Sequence, residues 1–122
     1  MVKFSFVLCA EPYKYEAIDT LINLGQAIVH KGHQILGIFL YGSGVHVIKE
    51  RTMKGNSIRN IPERLETFCK KYNVTLTACS TWISFTGIQK SEFIQGACQE
   101  GLGGLSHLIS ISDKVIFFGP GG

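Results

Sequence analysis

The chain has 122 residues, which fits one domain of ordinary size. Hydrophobic residues make up 45% and charged residues 17%, a composition that excludes a disordered tail and a coiled coil. The formal net charge of +3 is a small surplus and not a dense basic face, so we expect no direct nucleic-acid binding.

The first forty residues predict one β-α-β unit. Residues 2–9 (VKFSFVLC) are β-branched and aromatic, which is typical of a strand. Apolar residues recur at helical spacing from Ile18 to Ile28, and Gly32 follows as a C-cap. Residues 34–41 (QILGIFLY) form an almost unbroken apolar run of strand length. Strands that are apolar on both faces belong to parallel sheets covered by helices on each side.

The middle of the chain predicts a loop, a helix and a strand. Residues 49–60 (KERTMKGNSIRN) are polar and basic, which is typical of a mobile surface loop. An amphipathic helix follows, with Pro62 near its first turn and an apolar stripe from Ile61 to Tyr72. Residues 74–79 (VTLTAC) predict a third strand.

The last third is harder to assign. Residues 81–88 (TWISFTGI) fit neither period, whereas residues 91–96 predict a helical turn and residues 97–99 a short edge strand. Residues 101–112 predict a helix whose inward side chains are Leu102, Leu105, Leu108 and Ile109, and residues 114–118 close the sheet. Residues 1–122 therefore predict a single α/β domain with a mostly parallel sheet of four or five strands and helices on both faces.

In open parallel sheets, ligands bind beyond the carboxyl ends of the strands, and this rule selects the candidate residues. Cys79 is the candidate catalytic residue. The candidate residues lining the cleft are Cys9, Tyr13, Tyr41, Gly42, His46, Ser80, Trp82, Gly101 and Gly103.

Cys79 ends a strand just before a predicted helical turn. Unpaired N–H groups at the start of a helix favour the thiolate, which is the nucleophilic form of cysteine. The alternative is a thiol that only fills space in the core, as most free cysteines do. A catalytic role requires an ionised sulfur that reaches the surface.

The other three cysteines favour structural roles. Cys69 lies on the apolar stripe of a helix, Cys98 lies in a short segment, and Cys9 follows an apolar strand. The spacing of the four contains no CxxC pair, and no HExxH motif occurs, so we expect no metal site.

Two glycine clusters have open alternatives. Residues 101–104 (GLGG) could bind an anion at a helix start or allow close packing of helix on sheet. Residues 42–44 (GSG) could bind an anion or simply turn the chain. His46 follows the same strand and could act as an acid or base, and Trp82 with Phe85 suggests a subunit contact.

Four segments carry a resemblance to a known family: KFSFVLCAEPY, IFLYGSGVH, VTLTACSTW and GLGGLSHLISISDKVIFF. With these the sequence resembles the DsrE/DsrF-like family, and more closely its TusD/DsrE branch of sulfur-relay proteins. The resemblance implies a small DsrE-like α/β fold that assembles into trimers or hexamers, sometimes with paralogous subunits, and that needs no metal or nucleotide cofactor.

The resemblance also implies that the cysteine at the place of Cys79 accepts sulfane sulfur as a persulfide and passes it to a partner's thiol. In that branch the cysteine is followed by small residues and an Arg-Arg-Gly run. Here the stretch is STWISFTGI, which lacks the positive charge and is bulky and apolar.

These observations lead to a first hypothesis of a sulfur carrier or sulfurtransferase subunit that works between sulfur-donor and sulfur-acceptor proteins. The alternative is a non-catalytic assembly subunit or small-ligand binding module of the same fold, and a weaker third is a peroxide or thiol sensor. The chain has no apolar run of the ~20 residues that span a bilayer and no recognisable secretion signal, so we expect a cytoplasmic protein without membrane contact.

Overall fold

The computed structural model describes residues 1–11, 16–49 and 60–119. Within these residues the strands are β1 (Lys3–Leu8), β2 (Gln34–Leu40), β3 (Thr75–Cys79), β4 (Ala97–Glu100) and β5 (Lys114–Phe118). The α-helices are α1 (Ala17–His30), α2 (Ile61–Tyr72), α3 (Ser80–Thr86) and α4 (Leu102–Ile111). Two 3₁₀ helices cover Gly42–Ile48 and Lys90–Glu92.

The strands of the described residues form one five-stranded sheet in the order β4-β3-β2-β1-β5. Every pairing in it is parallel, so the predicted single α/β domain is confirmed and its sheet is entirely parallel. The first strand lies inside the sheet, and the last two strands form its edges. Because parallel strands all point the same way, the residues that follow them meet at one edge of the sheet.

Alternate residues of the strands face two different layers of helix. The larger layer packs β1, β2 and β3, with side chains such as Phe6 and Leu8, against α1 and α2. The smaller layer lies under α4 and has Val7, Phe39 and Cys79 at its centre. The helices therefore cover both faces, as the apolar strands predict.

Specific contacts fix where α2 begins and ends. The Asn60 side-chain oxygen accepts a hydrogen bond of 3.1 Å from the Glu63 N–H, and Pro62 occupies the first turn. Asn73 ends the helix in the left-handed conformation at φ 55°, where its N–H bonds to the Cys69 carbonyl. These caps satisfy backbone groups that have no partner inside the helix, and they fix both ends of α2. The strand β3 begins two residues after Asn73.

Several predicted boundaries change in the structure. The C-cap of α1 is Lys31, and Gly32 is the next residue, at φ 86°. Residues 81–86, which fit neither period, belong to α3. The helical turn predicted at 91–96 is shorter in the structure, a 3₁₀ helix at Lys90–Glu92. The short edge strand is confirmed as β4.

Of the four side chains of α4 that the sequence predicts to point inward, two do so and two do not. Leu105 and Leu108 pack against the sheet, but Leu102 is 55% exposed and Ile109 is 41% exposed. At 100° per residue, Leu102 and Ile109 lie on one flank of the helix and not on the side that faces the strands. Leu102 and Ile109 therefore form an apolar flank of α4 that stays exposed in the single chain.

The predicted loop at residues 49–60 lies mostly outside the described residues, which omit 50–59. Lys49 forms an antiparallel bridge with Phe93 and an ion pair of 3.2 Å with Glu92. In the described parts of the chain, no helix is both long and apolar enough to cross a membrane.

Candidate functional site

The ends of β1, β2 and β3 bring three side chains to the α4 face of the sheet. Val7 pairs with Phe39 in register, and Phe39 pairs with Thr77. Since side chains alternate along a strand, the residues two positions further on share that face: Cys9, Tyr41 and Cys79. Cys9 and Tyr41 are half-buried and pack against the same small cluster that contains Cys79. The structure therefore brings both candidate cysteines and the candidate tyrosine into one neighbourhood.

Cys79 is buried, with 1% of its surface exposed. It is the N-cap residue of α3, but its side chain makes no capping hydrogen bond. Its surroundings are the apolar side chains of the small cluster, which α4 covers through Leu105 and Leu108. The expected open thiol is therefore not found in the single chain, because Cys79 points to the face that α4 covers.

An aromatic chain leads from this cluster to the surface. The Tyr41 and Trp82 rings meet edge to face at 5.8 Å between centroids, and the Trp82 and Phe85 rings do so at 5.6 Å. Trp82 packs against the cluster that contains Cys79, whereas Phe85 is 72% exposed. The first helix turn after Cys79 thus supplies a cover for the buried sulfur.

Glu100 is a neighbour of Cys79 that sequence reasoning missed. The two residues are paired in register on adjacent parallel strands, β3 and β4, so their side chains leave the sheet on the same face. The Glu100 side chain is exposed. No local pattern in the sequence could have found it, because the pairing of β3 with β4 is a tertiary property.

The GLGG segment starts α4 with Gly101 as the N-cap. A Cβ atom at Gly101 or Gly103 would meet nothing within 4 Å, whereas one at Gly104 would overlap the Glu100 carboxylate. The Glu100 carboxylate therefore lies directly against the backbone of Gly104, and a side chain at Gly104 would have to displace it. Gly103 is exposed on α4.

The GSG segment turns the chain after β2. Gly42 has φ 61°, in the left-handed region that glycine adopts without strain. A Cβ atom at Gly44 would overlap the Leu8 carbonyl. Glycine fits at this position because the two backbones approach each other closely. His46 is exposed on the 3₁₀ helix, Ser80 is half-buried at the start of α3, and Tyr13 lies outside the described residues.

The remaining thiols are structural or partly covered. Burial raises the pKa of Cys69 to about 12 and also raises the pKa of Cys9. The Cys98 Sγ lies 3.4 Å from the Thr77 hydroxyl and 3.6 Å from the Leu76 carbonyl, to which it donates. All four cysteines are free. Among the described residues, no three His, Cys, Asp or Glu side chains are placed to hold a metal ion.

Comparison with known proteins places the whole fold. A model of the DsrE/DsrF-like family matches residues 2–118. A Vibrio vulnificus (strain YJ016) protein named sulfurtransferase TusD homolog is 23% identical and aligns over 96% of this chain and 98% of its own. The solved YchN protein of E. coli has a TM-score of 0.81 at 26% identity, covering 97% of this chain and 100% of that one.

A second solved structure shows the likeness of fold alone. It is MTH1491 of Methanobacterium thermoautotrophicum, a protein of unknown function. Its TM-score is 0.68 at 16% identity, with 95% of this chain and 99% of that chain covered.

Proposed function

The chain belongs to the DsrE/DsrF-like family, and on that premise we propose that it is a sulfur carrier that holds a persulfide on Cys79. The name of the Vibrio relative, a sulfurtransferase, supports sulfur relay at the level of the family. The observation that carries the assignment to Cys79 is its place as the last residue of β3, at the edge of the sheet where ligands of parallel sheets bind.

The proposed chemistry needs only thiols and persulfides. The Cys79 thiolate attacks the terminal sulfur of a donor persulfide, the donor S–S bond breaks, and the donor leaves as a thiolate that takes up the proton lost by Cys79. A partner thiolate then attacks the terminal sulfur on Cys79 and restores the free cysteine. Sulfur-donor and sulfur-acceptor proteins are therefore the proposed partners, and no oxidant is consumed.

Because Cys79 is buried, the proposal also needs a way to expose its sulfur. Transfer requires the sulfur to become reachable, and Trp82 belongs to the short helix that follows it and packs against its cluster. We assign Trp82 the role of a movable cover that turns aside when a donor or acceptor docks. Between transfers, the apolar surroundings would keep thiols in solution away from a bound persulfide.

Mass spectrometry tests the proposal directly. After incubation with a sulfane-sulfur donor, the Cys79 peptide should gain about 32 Da, the mass of one sulfur. Cys79→Ser should lose the gain, and Cys69→Ser, which alters the buried thiol of α2, should keep it. A gain that persists in Cys79→Ser would disprove the assignment.

The burial of Cys79 is also the observation that favours a second function, a non-catalytic assembly subunit or small-ligand binding module. In that case Cys79 only packs the α4 layer. Slow alkylation of native Cys79, together with no persulfide from any donor, would support this alternative against the relay.

We also propose self-association into a trimer or hexamer, with copies of itself or with paralogous subunits. The support is apolar surface that the chain leaves open: Leu102 is 55% exposed, Ile109 41% and Phe117 61%. Val115 packs into the α4 layer, and Phe117, two residues further on, shares that face. Exposed apolar patches of this kind mark protein contacts.

A cytoplasmic location completes the proposal. A relay through single cysteines works only where thiols stay reduced, and the four cysteines of this chain are free. Fractionation of cells followed by detection of the protein would test the location.

A further inference from the structure

A groove of about 260 Å³ opens between α4 and strands β2 and β3, beside the Cys79 layer. Its walls are mixed: Phe39 and Ile111 are apolar, and Thr75 and Thr77 offer hydroxyls. Glu100 and His107 supply a carboxylate and an imidazole to the same groove. Pockets that bind small molecules combine apolar walls with a few such polar groups, and this one has the size for a ligand of a few heavy atoms.

The structure makes room for the Glu100 carboxylate at the groove. Gly104 has no side chain, and in this conformation the carboxylate occupies the space that a Cβ atom there would take. The carboxylate lies against the first turn of α4, where the helix dipole favours negative charge. In the described residues no hydrogen bond or ion pair engages the Glu100 side chain. A carboxylate placed in this way is available to a cationic ligand.

Cys79 does not line the groove itself, but the register of β3 and β4 places it next to Glu100, which does. The two residues are paired in register, and neighbouring strands lie about 4.8 Å apart. Thr77, in the groove wall, precedes Cys79 by two residues, or roughly 6.6 Å along the strand. In cysteine persulfide the ammonium nitrogen and the terminal sulfur are about 5 Å apart, from ordinary bond lengths. A donor whose ammonium is held by Glu100 is therefore long enough for its terminal sulfur to reach Cys79 once the Trp82 cover has moved.

Charge points to the same class of donor. The helix after Cys79, STWISFT, has no charged residue, and Glu100 is the one carboxylate among the residues that line the groove, beside the imidazole of His107. A negative charge repels an anionic donor such as thiosulfate and attracts a donor with an ammonium group.

Resting on the proposed function, we propose that this groove is a second donor site, used beside the docking of donor proteins, and that it selects a low-molecular-weight persulfide carrying a primary ammonium group, of the cysteine persulfide class. Glu100 binds the ammonium group and is the residue that determines specificity. The Cys79 thiolate then attacks the terminal sulfur, the S–S bond of the donor breaks, and free cysteine leaves with the released proton.

The test compares initial rates of Cys79 persulfidation by cysteine persulfide, N-acetylcysteine persulfide and thiosulfate. Acetylation removes the positive charge of the donor and adds an acetyl group, while the carboxylate and the S–S bond stay the same. Loss of one partly exposed charge-assisted hydrogen bond predicts that cysteine persulfide reacts about tenfold faster than its acetylated form. In Glu100→Gln this ratio should fall to nearly one. The matched control is Glu63→Gln, an exposed carboxylate on α2, which should keep the full ratio.

The outcomes separate the two proposals. Persulfide on Cys79 at equal rates from all donors, or a preference that survives in Glu100→Gln, overturns the donor site and leaves the sulfur carrier intact. No persulfide on Cys79 from any donor overturns the proposed function and the donor site with it. A thiosulfate rate above the cysteine persulfide rate also overturns the donor site.

Discussion

Trp82→Ala is expected to uncover the Cys79 thiol. The Trp82 ring makes two edge-to-face contacts, at 5.8 Å with Tyr41 and at 5.6 Å with Phe85. Each such aromatic pair contributes about 0.5–1.5 kcal/mol, so a cover held by two pairs costs about 1–3 kcal/mol to open. Removing it should speed alkylation of Cys79 by about 5- to 150-fold, because each 1.4 kcal/mol is about a factor of ten.

The assay is timed labelling with iodoacetamide under native conditions, read peptide by peptide. Phe85→Ala is the matched variant: it removes the outer pair and keeps the inner one, so its increase should stay near 2- to 12-fold. Cys69, buried in the other layer, reports global opening and should label slowly in every variant. Equal rates for Cys79 in wild type and Trp82→Ala, or labelling of Cys69 in step with Cys79, would refute the cover.

Three further predictions concern stability and assembly. Gly44→Ala should lower the free energy of unfolding by about 1–3 kcal/mol, since the new Cβ atom would overlap the Leu8 carbonyl. Gly103→Ala, in open space on a helix, should raise the free energy of unfolding by up to about 1 kcal/mol. Urea unfolding measures both. Phe117→Glu should lower the particle mass in light scattering, and an unchanged mass would exclude this face from the assembly. Burial raises the pKa of Cys69 from 9.0 to about 12, so the contribution of this protonated thiol to folding stability is full below pH 9. Between pH 9 and the raised pKa the contribution should fall by up to about 1.4 kcal/mol per pH unit, and Cys69→Ala should reduce that slope in urea unfolding at several pH values.

The sequence predicts the elements better than their arrangement. Unbroken apolar runs require a sheet covered on both faces, and the structure has one. The order of the strands rests on which strand pairs with which, and no local pattern records that. Residues 81–86 match neither period, because their aromatic and β-branched side chains disfavour the helix that nevertheless forms after β3.

In the candidate site, too, the sequence predicts which strand ends meet but not how deeply their side chains are buried. Cys79, Cys9 and Tyr41 were predictable, because strand ends of a parallel sheet meet at one edge. The burial of Cys79 was not, since it depends on α4 and Trp82 packing from distant parts of the chain. The sequence predicts Leu102 and Ile109 to point inward, because an apolar flank has the same spacing as a core stripe, and only the packed fold distinguishes the two.

The position of β5 next to β1 has a consequence for synthesis on the ribosome. Strands β2, β3 and β4 are added to one growing side of the sheet, each beside the strand made before it. The opposite side of β1 has no partner until β5 is made, more than a hundred residues after β1 begins. Through most of translation the nascent chain therefore exposes an unpaired strand edge, and shielding by a chaperone should matter most in that interval.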